Sequence, residues 1–519
     1  MRRFTSYGPP DPKRHFTVER RELVERCVKN LVGEPPEDGG YYFTIWAPRQ
    51  TGKTWLIREA VKKIKTDFPD KFTIITTSTE GIEGENTLDT LNLIIEQISF
   101  ASKIDIPDIK KKEHFPFIFA KGKGVFKKPV ILLIDEIDSI PQDSLELLVH
   151  YFRKIYLERE RYLLHGLALV GVRAVLGVEA ERGSPFNIQR SLKVENFTFD
   201  EVKDLFNQYQ EESGQRVEKE VIELVYEKTS GQPGLVGWFG ELLTEKYNPG
   251  KNKVIDKKTW ERVYIKALYV EPNNTVLNII KKALKYKEYV LEIYRRDDVK
   301  FSFSKDWCNY LYMHGVIREV EGEEYPLCRI SNEFIQARLF DALCEEEVKG
   351  KLPIPFLEPL DTLEDVFLED RIKVKPLIER YKKYLERTKE EIYRGIEARR
   401  ENGRVYEVIY HFHLYSWLFE VLKRKAHVIP EFPVGNGRVD IAIRDKKGNI
   451  SIVEVKSFRD MLSFKDGKKK LEAYAKKVRA KEVLMALFVD FDEERYLKAF
   501  TEEYEREGIK FYIEPIVIK

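Results

Sequence analysis

Hydrophobic and polar positions run along this chain in two rhythms. Val130-Ile-Leu-Leu-Ile134 is an unbroken apolar run, the pattern of a strand buried on both faces. Residues 41–46 (YYFTIW) and 72–77 (FTIITT) are β-rich and bounded by turns, and residues 167–172 and 193–197 predict further strands. Between them the period lengthens. Residues 19–32 read as a helix, and residues 54–65 place Leu56, Ala60 and Ile64 on one helical face. Strands alternating with helices predict a parallel sheet with right-handed crossovers.

Beyond residue 200 the pattern turns helical, broken at Ser230-Gly-Gln-Pro-Gly234. Helical stretches over 258–343 include a hairpin-like VIREVEGEEYPLCRIS, which predicts a winged helix-turn-helix. The Pro-rich KLPIPFLEPL (351–360) predicts a joint. Charged helices are expected over 375–425. Strands follow at 437–444, 450–456 and 483–490, with a Lys-rich helix before the last. The expected organisation is a multidomain α/β chain: a parallel-sheet core (1–199), a helical lid (200–257), a winged-helix segment (258–350), a helical linker (351–400) and a C-terminal α/β domain (401–519).

Composition narrows the class. With 43% hydrophobic and 34% charged residues over 519 positions, the chain has material for several cores and is not a disordered polymer. No apolar run approaches the roughly 20 residues that cross a bilayer, so no membrane partner is expected. The opening MRRFTSYGPPDPKRHF lacks the apolar stretch of a secretory signal. Cys27, Cys308, Cys328 and Cys344 stand singly, which disfavours a zinc ribbon or disulfide framework and fits a reducing cytoplasm. Lys+Arg 89 against Asp+Glu 87 leaves a net charge of +2, so any nucleic-acid contact must come from local patches.

The first chemical constellation is Ala47-Pro-Arg-Gln-Thr-Gly52-Lys53-Thr54, between a predicted strand and a predicted helix. This is the P-loop arrangement, with Ala in place of the first Gly. Ala47, Gln50 and Thr51 lie in the loop whose backbone N–H groups, with the helix N-terminus, face the phosphates of ATP. Gly52 admits close backbone approach, Lys53 neutralises the β/γ oxygens, and the Thr54 hydroxyl ligates Mg²⁺. The run ending in Asp135-Glu136 brings acids to a sheet edge. Asp135 would hold Mg²⁺ through water, and Glu136 would polarise the attacking water. Asp138 reads as a solvated neighbour.

Residues 10–345 resemble P-loop ATPases of the AAA+ and STAND type. Phe16-Thr-Val-Glu19-Arg20-Arg-Glu-Leu23 looks like the motif that caps adenine in those families, though it departs from their Gly-Arg-Glu. Leu167-Ala-Leu-Val-Gly-Val-Arg173 is similar to their γ-phosphate-sensing strand and arginine, which implies a nucleotide contact for Arg173. Arg182 and Arg190 remain open for the same role. Gly231-Gln-Pro233 resembles their Gly-x-Pro, which implies a nucleotide contact for Pro233, and Ser184-Pro-Phe-Asn-Ile188 resembles a segment recurring in prokaryotic members.

The second constellation pairs Asp440, in a run GRVDIAI, with Glu454 and Lys456, in ISIVEVK, across a predicted hairpin. The acids lie 14 positions apart, and Glu454 and Lys456 share a strand face. Two carboxylates with a lysine suit phosphodiester hydrolysis: Asp440 and Glu454 bind Mg²⁺ or Mn²⁺, and Lys456 positions water or stabilises developing charge. Residues 400–519 resemble the PD-(D/E)xK, or restriction-endonuclease-like, fold. The resemblance implies an upstream helical acid, matched by Glu407, and a Gln on the following helix, where this chain has Lys470. His411 and His413, two apart on a predicted helix, read as packing or surface residues and not as metal ligands. Lys465, Lys468, Lys469, Lys470, Lys476, Lys477, Arg479 and Lys481 form a basic run that would face DNA.

The expected function is an ATP-binding and hydrolysing switch that controls a metal-dependent DNA endonuclease or exonuclease, by analogy in defence against foreign DNA. The alternatives are a repair or mobile-element nuclease, and a nucleotide-gated DNA-binding scaffold without nuclease activity. ATP and DNA are the expected partners, and a homo-oligomer is left open.

Overall fold

A strand apolar at every position must be covered on both sides, and the N-terminal sheet is. The computed structural model describes residues 1–171, 191–296, 298–322, 324–347, 363–368, 371–394, 407–422, 425–434, 437–458 and 461–518. The strands β1 (Tyr42–Trp46), β2 (Thr73–Ser78), β3 (Val130–Asp135), β4 (Leu164–Gly171) and β5 (Ser191–Lys193) form one parallel sheet in the order β2-β3-β4-β1-β5. Helices α1 (Arg21–Val32) and α2 (Lys53–Asp67) cover one face, where Leu31, Leu56 and Ala60 pack on Phe43, Ile131 and Leu133. Helices α3 (Thr87–Ser102) and α4 (Gln142–Leu157) cover the other, where Ile94, Ile98 and Phe152 pack on Tyr42, Leu132 and Ile134. Consecutive β3 residues therefore serve opposite cores. The fifth strand lies slightly earlier than the pattern predicts: after Val194 the chain leaves the sheet, and the Phe197 N–H bonds to the Gly231 carbonyl instead.

Helices α5 (Phe199–Ser213), α6 (Lys219–Thr229), α7 (Pro233–Glu241) and α8 (Lys257–Tyr269) follow. Next come α9 (Asn274–Leu284), α10 (Lys287–Arg295), α11 (Asp306–Met313), β6 (Ile317–Val320), β7 (Leu327–Ile330) and α12 (Glu333–Glu347). The chain forms two compact units, residues 1–282 with 302–319, and 283–301 with 320–519. The segment expected to be a winged helix is thus shared between them.

In the second unit, β8 (Phe367–Leu368) and β9 (Arg371–Ile372) precede α13 (Val374–Arg394) and α14 (Glu407–Val421). Then come β10 (His427–Val434), β11 (Gly437–Arg444), β12 (Ile450–Ser457), α15 (Met461–Val478), β13 (Glu482–Val489), α16 (Glu494–Phe500), β14 (Glu502–Arg506) and β15 (Ile509–Val517). The sheet order is β10-β11-β12-β13-β15-β14, parallel at β12-β13 and β13-β15 and antiparallel elsewhere. Helix α13 packs on β13 and β15, and Lys373 and Lys382 pair with Glu482 and Glu514 of those strands. Helix α14 corrects the expectation of charged helices up to residue 425: its EVIYHFHLYSWLFEV run is buried almost all round, with Trp417, Phe412 and Leu414 fully enclosed. Apolar residues on every face make a core helix, not an amphipathic one. The four cysteines are buried, and none is in a disulfide. Among the described residues no helix is long and apolar enough to cross a membrane.

Candidate functional site

The phosphate loop leaves β1 through two left-handed residues, Gln50 (φ 58) and Gly52 (φ 94). A Cβ at Gly52 would meet nothing within 4 Å, so the backbone angle rather than crowding calls for glycine there. Helix α2 starts at the next residue. Lys53 is 8% exposed, and its Nζ donates to the carbonyls of Ala47 (2.8 Å) and Pro48 (3.0 Å). Burial holds this ammonium below the usual lysine pKa, opposed by the carboxylates of Glu136, Asp135 and Asp138. Thr51 Oγ1 bonds back to the Pro48 carbonyl.

Strand β3 delivers Asp135 against the start of α2, where Thr54 Oγ1 donates to Asp135 Oδ2 at 3.1 Å. An alcohol and a carboxylate in contact at a helix start are hard oxygen donors, the kind Mg²⁺ takes, so the donor set fits that ion. Asp135 Oδ1 accepts from the Glu136 N–H at 2.9 Å. Glu136 is left-handed (φ 54), and its carboxyl pKa is raised by burial and by Asp135. Asp138, read from the sequence as solvated, is half-buried instead, in the space a Cβ on Gly171 would fill.

A cavity of about 540 Å³ is lined by residues 49–55 of the loop, Glu136, Pro233 and Phe16, Thr17, Val18 and Arg20. That volume is ample for a small-molecule ligand. The Gly-Gln-Pro segment is tied to the phosphate loop: the Gly234 N–H donates to the Gln50 carbonyl at 3.0 Å and Gln232 Nε2 to the Arg49 carbonyl at 3.2 Å. Residues 4–10 also line the cavity, and nothing in the sequence reading singled them out. Ser6 donates through N and Oγ to Glu241 (2.9 and 2.8 Å), and Arg2 through N and Nε to Glu212 (2.8 and 2.6 Å). One face of α7 is glycine because the loop and this segment lie directly on it. A Cβ on Gly234 would stand 2.5 Å from the Gln50 side chain, on Gly237 2.1 Å from the Thr5 carbonyl, and on Gly240 2.2 Å from the Phe4 ring. That glycine spacing was the available signal. Arg173, Arg182, Arg190 and the 184–188 segment lie outside the described residues.

In the second unit the hairpin and α14 bring the other four residues together. The pairing Ile441↔Val453, carried one residue on, sets Asp440 beside Glu454. Lys456 Nζ lies 3.0 Å from Glu454, 3.8 Å from Glu407 and 3.9 Å from Asp440. Backbone amides fix the acids: Val455 N donates to Asp440 Oδ2 at 2.7 Å and Ser457 N to Glu407 Oε2 at 2.6 Å. Burial, with Asp440 adjacent, pushes the Glu454 carboxyl up to about 7, while the surrounding acids hold Lys456 well above its usual value. Three carboxylates thus converge around one ammonium.

The α15 position against Lys456 is Gly467, where a Cβ would sit 3.8 Å from its side chain; Lys470 is exposed. The basic run is partly neutralised, since Lys468 pairs with Glu502 and Lys476 with Glu507. His411 and His413 are both buried, and neither is a surface residue. His413 packs in the core, Nδ1 2.6 Å from the Tyr381 hydroxyl. His411 stands one turn after Glu407 and reaches the Asp440 carbonyl.

A parallel sheet covered on both faces, with a Gly-Lys-Thr turn after one strand and an aspartate ending another, fits a P-loop nucleotide-binding core. No family model matches the chain, and no curated protein matches it. Among solved structures it is similar to a Walker-type ATPase of Pyrococcus abyssi, at 16% identity over 64% of this chain and 98% of that one, with a TM-score of 0.40. It is also similar to Cdc6p of Pyrobaculum aerophilum (14% identity, 66% and 98%, TM-score 0.37) and to Orc1 of Aeropyrum pernix, solved in complex with DNA (13%, 63% and 93%, 0.34).

Proposed function

We propose that this chain is a nucleotide-controlled, metal-dependent deoxyribonuclease: a P-loop ATPase unit of the AAA+/STAND type joined to a PD-(D/E)xK-like unit. The observation that carries the reading is the convergence of Glu407, Asp440 and Glu454 within 4 Å of the Lys456 ammonium, in a chain that also sets Lys53, Thr54 and Asp135 around a phosphate loop.

In the first unit, ATP lies in the cavity with its phosphates on the loop amides. Lys53 exchanges its two carbonyl partners for phosphate oxygens, Thr54 and Asp135 hold Mg²⁺, and Glu136 takes the proton of the attacking water. Pro233 and Phe16 flank the nucleotide, and Arg173 is the candidate γ-phosphate contact. In the second unit, Asp440, Glu454 and Glu407 hold Mg²⁺ or Mn²⁺, and Lys456 orients water and offsets charge on the scissile phosphate. When bound, the cation supplies Lewis acidity at the phosphoryl oxygen. The helices and short strands of 258–350 serve as a winged-helix segment that responds to the nucleotide. The exposed Lys465, Lys469, Lys470, Lys477, Arg479 and Lys481 give DNA a basic track. Free cysteines suit a reducing cytoplasm. Cleavage held under nucleotide control suits defence against foreign DNA, where unrestrained cutting would harm the host.

The test is incubation of plasmid and linear DNA with the full chain and Mg²⁺ or Mn²⁺, with and without ATP. Wild type cleaves, Lys456→Ala does not, and Lys53→Ala loses ATP binding and the ATP dependence of cleavage. Cleavage by Lys456→Ala equal to wild type sinks the nuclease assignment.

A further inference from the structure

We propose that His411, Glu431 and Asp440 form a second divalent-cation site, which shares Asp440 with the Glu454–Lys456 cluster and selects a transition metal over Mg²⁺. The site deepens the nuclease reading, but its donors stand whether or not the unit cuts DNA.

Three carboxylates lie in a row across β10, β11 and β12. The pairs Pro430↔Ile441 and Phe432↔Val439 set Glu431 opposite Asp440, which in turn lies beside Glu454. Like charges directly opposed across a ladder destabilise a sheet unless something positive lies between them. Lys456 answers Glu454, Asp440 and Glu407. Glu431 faces His411: its Oε1 lies 3.4 Å from Nδ1. The other ring nitrogen, Nε2, is 2.9 Å from the Asp440 carbonyl oxygen. A carbonyl only accepts, so Nε2 carries the hydrogen. In the neutral ring Nδ1 therefore presents a bare lone pair to a carboxylate oxygen. A cation between them turns that opposition into shared coordination. The 3.4 Å separation is that of two ligand atoms about 2.1 Å from one ion at a tetrahedral angle.

The surroundings are built for this. Gln336 Nε2 donates to Glu431 Oε2 at 3.0 Å, and the Gln336 carbonyl is itself held by the Tyr294 hydroxyl at 2.6 Å. Such outer partners orient metal ligands. Glu431 adopts a left-handed backbone (φ 51) inside a strand, an unfavourable conformation for a non-glycine residue. One donor atom from each of the three residues lies within 4.8 Å of the others. The His411 and Glu431 side chains are 6% and 2% exposed. Mg²⁺ keeps its waters and avoids imidazole, whereas Mn²⁺, Co²⁺ and Zn²⁺ accept a nitrogen–oxygen set.

The experiment titrates metal-stripped full-length protein, free of nucleotide, with Mn²⁺ by calorimetry and electron paramagnetic resonance, and with Co²⁺ by visible absorption. Glu431→Gln, which keeps the shape and one acceptor, is expected to bind one Mn²⁺ fewer than wild type, or to bind it more than about ten-fold more weakly. His411→Gln is expected to alter the Co²⁺ visible band through loss of the nitrogen ligand. A Glu431→Gln isotherm that superimposes on wild type overturns the proposal and leaves His411 and Glu431 as a protonated ion pair. Should His411→Gln fail to fold, the Glu431→Gln count decides. Loss of one ion in Glu431→Gln, with a wild type that never cleaves DNA, keeps the site and removes the nuclease reading. Cleavage with an unchanged ion count does the reverse.

Discussion

His413 is fully enclosed, and burial lowers its pKa to about 3. The unfolded chain takes up a proton near 6.5, while the folded one stays neutral down to about 3. The stability this neutral ring contributes is complete above pH 6.5 and drains away as pH falls towards 3. Between pH 7 and pH 5 the loss amounts to about 2 kcal/mol. Urea unfolding followed by circular dichroism is expected to show that extra loss in wild type and not in His413→Gln. At the phosphate loop, Glu136→Gln is expected to keep ATP binding and to lower phosphate release by about 10²–10⁴-fold. Where a cluster is packed into consecutive residues, its placement was legible in the sequence. Gly52-Lys53-Thr54 needs only its own turn, and Asp135 only the end of its own strand. Glu431 had no such signature, because it becomes a neighbour of Asp440 only through sheet register. The spacing of His411 was judged only against His413, whereas its helical neighbour is Glu407 and its other partners come from β10 and β11.

Helix α7 carries its glycines where other chain lies on it. Gly237→Ala would drive a methyl group into the Thr5 carbonyl. The expected outcome is displacement of residues 4–10, read as faster amide hydrogen exchange there, with a stability loss of about 1–3 kcal/mol and weaker ATP binding. Deletion of residues 1–10 should reproduce the weaker binding without the strain. Helix α14 makes the opposite case. Trp417→Ala, at a fully enclosed position, is expected to cost about 3–5 kcal/mol in urea unfolding. Strands β1 to β4 and β11 to β13 were legible because their apolar runs are short and bounded, whereas β10, β14 and β15 were not singled out. The character of α14 was not, because the charged rhythm of α13 was carried across it. Residues 1–10 look like an ordinary polar leader in sequence, and contacts more than 200 positions away, to Glu212 and Glu241, help bring them to the cavity.

At the scale of the whole molecule, two compact units should melt in two steps. ATP with Mg²⁺ at a hundred times its dissociation constant is expected to stabilise the first by about 2.7 kcal/mol, and Mn²⁺ to raise the second, as read by calorimetry of wild type and Lys53→Ala. The path of the chain carries a further consequence. It passes from one unit to the other after residues 282, 301 and 319. Helices α10 and α12, which pack on α14, are therefore encoded upstream of the Pro-rich stretch. A gene fragment beginning at that stretch would leave Phe340 behind and strip an aromatic cover from His411, Phe412 and Tyr415. A C-terminal half cut at that stretch is expected to fold less stably than one that keeps residues 283–301 and 320–347, as limited proteolysis of the two fragments would read.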